Sequence, residues 1–182
     1  PTPVWDVYDP RFVKPLIRAT DSYIKEAKAR NKKFSKGRDK NLKTKLGDFA
    51  LSHHSTKLYE DPRFEPFIDV ITDTSLNFLN AQGSSHVHYN QHVSGFYFLK
   101  CSDKTSYPIF HDPRPGALMT KLPVEETKDV IMGASSISYK IKPGTFIFFP
   151  GYLTHEFPVD LGIDPFRFIH FNVQAVHSDI TK

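Results

Sequence analysis

The sequence predicts an α+β fold: helices first, then a β-sandwich or barrel, with the helices packed on one side. Three observations carry that prediction. Apolar residues recur at helical spacing in two stretches before residue 83. From residue 84 the pattern changes to short runs rich in aromatic and β-branched residues. Proline- and glycine-containing turns separate those runs, which is the punctuation of an antiparallel β-fold. The 182 residues suit one domain with a sizeable core, with residues 1–83 as its helical part and 84–175 as its β part.

The elements follow in order. Residues 4–8 alternate weakly and read as a short edge strand. Asp9-Pro10-Arg11-Phe12 pairs an acidic cap with proline at the first helical position, so a helix is expected over about 10–31. Val13, Leu16, Ile17, Thr20, Ile24 and Ala27 mark its apolar face, and Pro15 is a kink or a later start. Asp61-Pro62-Arg63-Phe64 repeats the start signal for a second helix over about 63–80. Strands are expected at Val93–Lys100, Tyr107–Phe110, Ile137–Ile141, Thr145–Phe149 and Phe166–Val173. Between the second and third of these, a weakly periodic stretch runs to about residue 135, a length usual for a functional loop such as a lid.

Composition narrows the class. Hydrophobic content of 39% and aromatic content of 14% are those of a globular chain. No apolar run approaches the roughly 20 residues of a membrane span, and the start lacks the pattern of a signal peptide. The single cysteine, Cys101, excludes an intramolecular disulfide and fits a reducing cytoplasm. Net charge is +4, unevenly spread: residues 28–45 hold nine basic side chains against one acid, +8, which leaves −4 for the rest. Such a run could meet nucleic acid or an acidic partner, but only Phe34 interleaves with it, and a solvated helix end is the favoured reading.

Histidines carry the chemical signal. On a strand, residues i and i+2 face the same side, so His86 and His88 could aim two imidazoles at one metal. His155 follows the apolar run 145–149 and Pro150-Gly151, expected as a tight turn that reverses the strand, and it could complete the site if the strands lie side by side. Two histidines and a third group with open positions is the arrangement of non-haem iron(II) oxygenases. His53 and His54 are adjacent and point in different directions, which argues against ligation.

Five stretches in order resemble a known family: His86-Val87-His88, Ser94–Leu99, Phe110–Arg114, Phe149–His155 and Arg167–Asn172. Together they resemble the double-stranded β-helix proteins, and within them the 2-oxoglutarate/iron(II) oxygenases. The resemblance is closest to a family abundant in phages of marine cyanobacteria and distantly similar to prolyl hydroxylases. It implies a jelly-roll, cupin-like core. It also implies an enzyme that uses Fe(II), 2-oxoglutarate and O2 to hydroxylate a substrate, in the host cytoplasm if the chain is phage-encoded.

The resemblance further implies His86 and His155 as iron ligands. His88 stands where the superfamily has a carboxylate, so the third ligand is either His88 or Asp112. Arg167 would pair with the far carboxylate of 2-oxoglutarate, with Tyr97 donating to the same group and with Asn172 and His170, on one face of the last strand, lining the site. Arg167 precedes Asn172 by five residues, so on a regular strand they face opposite sides unless a bulge intervenes. Relatives also carry a strand before the His-x-His motif, for which residues 79–85 leave no room. Two other readings remain: a cupin-like metalloenzyme without 2-oxoglutarate, and a non-catalytic β-sandwich binding module.

Overall fold

The computed structural model describes residues 2–34, 55, 57–81, 92–101, 107–114, 134–157 and 166–175, with backbone only for 31–34. Two helices and two antiparallel sheets make up these residues. Helix α1 spans Val13–Phe34 and α2 spans Glu65–Ala81. The strands are β1 (Trp5–Tyr8), β2 (Val93–Lys100), β3 (Ile109–His111), β4 (Ser136–Ser138), β5 (Thr145–Pro150), β6 (His155–Glu156) and β7 (Arg167–Val173). One sheet has the order β1-β5-β2-β7 and the other β4-β3-β6.

Both helices enter through a 3₁₀ turn built on Asp-Pro-Arg-Phe. In each, the aspartate (Asp9, Asp61) accepts from the backbone N–H two residues on. Its carboxylate also receives the guanidinium of Arg11 or Arg63, at 2.6 Å in both. Proline at the first position costs nothing there, because that N–H has no intrahelical partner. The same reason lets Pro15 sit in the first turn of α1, which starts at Val13 rather than at residue 10. On α2, Phe67, Ile71, Ser75 and Phe78 fall three or four apart and are buried.

The four-stranded sheet is covered on both faces, which explains why β2 and β5 are buried along almost their whole length. On one face Val93, Tyr97, Leu99, Phe146, Phe148 and Ile169 pack against Leu16, Phe64, Phe67 and Phe78 of the helical layer. On the other, Phe96, Phe98, Ile147 and Phe149 pack against Phe110 and Leu153, with Ile137 and Tyr139 alongside. The core is therefore two apolar seams, one helix-to-sheet and one sheet-to-sheet.

Two glycines have steric reasons. Gly144 takes φ +94° in the turn before β5, with the Pro10 Cα 2.8 Å from where a Cβ would stand. At Gly95 a Cβ would enter the Phe171 ring and come within 2.5 Å of the Ile147 carbonyl oxygen.

Two expectations change. The strand expected over 137–141 is only Ser136–Ser138. Pro150-Gly151 does not fold β5 back on itself: the chain crosses to the other sheet, where β6 pairs with β3 through Phe110↔His155. The long stretch expected as a lid lies, from residue 115 to 133, outside the described residues, as does most of the basic run. Among the described residues no helix is long and apolar enough to cross a membrane.

Candidate metal and cosubstrate site

His155 opens β6, and its half-buried ring sits in the seam between the sheets. Ring centroids of Phe149, Phe96 and Phe110 lie 4.8, 5.4 and 6.2 Å from it. Its Nδ1 is 2.9 Å from the Leu153 carbonyl oxygen. A carbonyl oxygen only accepts, so Nδ1 carries the proton and the neutral ring keeps its lone pair on Nε2. A backbone acceptor that fixes the tautomer in this way is the usual outer-shell support of a metal-bound imidazole. This single ligand position fits a divalent metal on the chemistry of its donor.

His86 and His88 lie outside the described residues. Among the described residues, no three His, Cys, Asp or Glu side chains gather as a metal centre.

Asp112 follows β3, beside the strand that carries His155, but its carboxylate is turned to Arg114. Oδ1 accepts from the Arg114 backbone N–H at 3.0 Å and from Nε at 2.9 Å, and Oδ2 accepts from Nη2 at 2.6 Å. The Arg114 guanidinium holds the Asp112 carboxyl down at about 2. This is the same Asp-Pro-Arg clamp that opens the two helices, and in it Asp112 forms a turn.

The residues expected to bind 2-oxoglutarate divide between the two faces of the sheet. Arg167 is on the helical face: its Nη1 donates to Asp21 Oδ1 at 2.7 Å, Thr20 Oγ1 at 3.1 Å and the Ile17 carbonyl at 3.2 Å. Tyr97 is on that face too, its hydroxyl donating to the Asp9 carbonyl at 2.8 Å. Burial, above all, raises its pKa. Neither reaches the His155 side, contrary to the expected cosubstrate pairing. The register between β2 and β7 does shift, between Phe98 and Lys100, but the extra residue is in β2. Strand β7 stays regular, so Arg167 and Asn172 face opposite ways.

Asn172 does stand on the His155 face, accepting from Ser94 Oγ at 2.6 Å through Oδ1. Two residues earlier, His170 pairs in register with Phe96 and lies 6.3 Å from His155, centroid to centroid. Its pKa is lowered, first by burial and then by His155. Ser94 and His92 were not singled out in the sequence. His92 accepts from the Ala175 backbone N–H through Nδ1 and hydrogen-bonds β7 and Gly151 through its backbone. Only its neighbourhood with the histidine motif could have drawn attention to it.

Residues 76–165 match a family model described as "Putative 2OG-Fe(II) oxygenase". The match supports a relationship of that stretch to the 2-oxoglutarate/iron(II) oxygenase superfamily. It takes in the His-x-His motif, both central strands and His155, and leaves β7 outside. No curated protein matches the sequence. Oxygenases of this superfamily use Fe(II), 2-oxoglutarate and O2, and those are the cofactor and cosubstrates that the match implies.

Proposed function

We propose that the protein is a 2-oxoglutarate- and iron(II)-dependent dioxygenase that hydroxylates an unactivated C–H bond, releasing succinate and CO2. The observation that carries this reading is His155: an imidazole between two antiparallel sheets, its Nδ1–H given to a backbone carbonyl and its Nε2 left as a donor atom. His86 and His88 would hold the metal with it, on the strength of their i, i+2 spacing. The two sheets, joined by the crossover at Pro150-Gly151, support a double-stranded β-helix core. When bound, the iron would supply the oxidising chemistry of the superfamily.

The chain's own contribution is ligation, orientation and dryness. The Leu153 carbonyl fixes which nitrogen of His155 faces a metal. Phe96, Phe110 and Phe149 exclude water around that ring, which strengthens every polar interaction made there. Burial pushes the half-buried Cys101 thiol up to about 11, which favours its protonated form.

Arg167 favours a second reading. An arginine committed to the helical face leaves the superfamily's usual carboxylate partner unavailable, as in a cupin-like metalloenzyme without 2-oxoglutarate. Anaerobic thermal unfolding with Mn(II) or Fe(II), with and without 2-oxoglutarate, separates the readings. A ligand at about 100 times its Kd adds about 2.7 kcal/mol. The oxygenase reading expects stabilisation by metal, a further increment from 2-oxoglutarate, and loss of both in His155→Ala. Metal stabilisation alone supports the cupin-like enzyme. No shift from either ligand overturns both and leaves a binding module.

A further inference from the structure

The sheet face that looks toward β6 is apolar along most of its length. Phe96, Phe98, Ile147 and Phe149 line it on β2 and β5, and Phe168 continues it on β7. Among the described residues, β7 breaks this surface with two polar side chains, His170 and Asn172. Asn172 accepts from Ser94 Oγ through its Oδ1, and its Nδ2 carries N–H donors on the same face, one residue pair further along β7 from His155's neighbour His170. His170 lies against the Phe96 ring at 5.2 Å and remains open to solvent. The ring of His155 is 6.3 Å away, close enough for one small ligand to touch both.

A dicarboxylate anchored by one end beside His155 lays its other carboxylate along this mostly apolar face, where side-chain N–H or O–H donors would fix its position. The β7 arginine cannot serve, since Asp21, Thr20 and Ile17 hold it on the opposite side of the sheet. We propose that His170 is the residue that binds the distal carboxylate of the acidic cosubstrate, taking the place of the arginine that β7 turns toward α1. The proposal rests on the dioxygenase reading above. It makes the length and the second charge of the 2-oxo acid, rather than its 2-oxo group, the features His170 selects.

The test compares 2-oxoglutarate with 2-oxopentanoate, which has the same chain and 2-oxo acid end but no distal carboxylate. Binding is read anaerobically on Mn(II)-loaded protein by calorimetry, for wild type, His170→Ala and His170→Gln, with Mn(II) affinity measured separately. A hydrogen bond to a charged group implies a loss of about tenfold or more in 2-oxoglutarate affinity for His170→Ala. Affinity for 2-oxopentanoate and for Mn(II) should not move, and His170→Gln, which keeps an N–H donor, should recover part of the loss. An equal loss for both acids, or none for either, overturns the role of His170 and leaves the dioxygenase reading standing. Failure of wild-type protein to bind 2-oxoglutarate overturns the dioxygenase reading itself, and His170's role with it.

Discussion

The guanidinium of Arg167 lies 2.7 Å from the carboxylate of Asp21, so the first residue of β7 fastens the sheet to α1. The Thr20 hydroxyl and Ile17 carbonyl take the same nitrogen from beneath the helix. Arg167→Ala should therefore lower stability by about 1–2 kcal/mol through those covered hydrogen bonds, as read by denaturant unfolding. Asp21→Asn, at an exposed carboxylate, should change it far less. Any 2-oxoglutarate-dependent rise in the unfolding midpoint should survive in Arg167→Ala. Its loss in a folded variant would return the arginine to the cosubstrate.

Tyr97 makes a comparable link, from β2 to the turn before the first helix. Its fully buried hydroxyl donates to the Asp9 carbonyl, so Tyr97→Phe should cost about 1 kcal/mol and leave 2-oxoglutarate binding untouched. The pH dependence has a defined sign. The folded-state pKa of Tyr97 is raised above its ordinary value of 10.0, chiefly by burial. Above that value the unfolded chain releases the phenolic proton while the folded protein keeps it, so stability falls as pH rises beyond about 10. Tyr97→Phe should remove that part of the alkaline loss, which a comparison of the two unfolding profiles from pH 8 to 11 would detect.

The same two residues show what could be read in advance. Spacing alone put Arg167 and Asn172 on opposite faces of a strand. It did not say which face meets the helices, because β2 and β5 are buried on both sides and give no polar–apolar contrast. The long apolar strands and the capped helices were legible since each carries a repeated local signal. β6 was not, since two residues hold no period, and its pairing with β3 is set by the chain crossing after Pro150. His155 stood out in the sequence, whereas the Leu153 carbonyl that fixes its tautomer is backbone and has no residue signature. His170 was legible as a site-lining residue on the same strand face as Asn172, and what gives it a distinct role is the direction in which Arg167 is drawn.

Asp112 supplies a third prediction. Its two carboxylate oxygens are held by three donors of Arg114, the arrangement seen at Asp9-Arg11 and Asp61-Arg63, where it opens the helices. Asp112→Asn should leave the metal-induced rise in unfolding midpoint within error of wild type, while His155→Ala abolishes it. A loss of metal response in Asp112→Asn as large as in His155→Ala would show that the clamp opens when metal binds and that the carboxylate is the third ligand.

Gly95 marks the point where the two sides of the central sheet are most tightly coupled. It sits in β2 between Ser94 and Phe96, which face the His155 side, yet its own missing side chain would project onto the helical side, into the Phe171 ring. The Ile147 carbonyl oxygen of β5 would be 2.5 Å away, slightly farther than the nearest Phe171 ring atom, and backbone there cannot move without disturbing the β2–β5 ladder. Overpacking of this kind costs about 1–3 kcal/mol. Gly95→Ala should lose at least that in denaturant unfolding. Because the strain displaces β2 relative to β7, the Phe96–His170 contact should loosen with it, and 2-oxoglutarate affinity should fall along with stability. Pairing Gly95→Ala with Phe171→Leu makes room for the new methyl group and should restore part of both. A Gly95→Ala protein as stable as wild type would mean that β2 and β7 separate more easily than their packing implies.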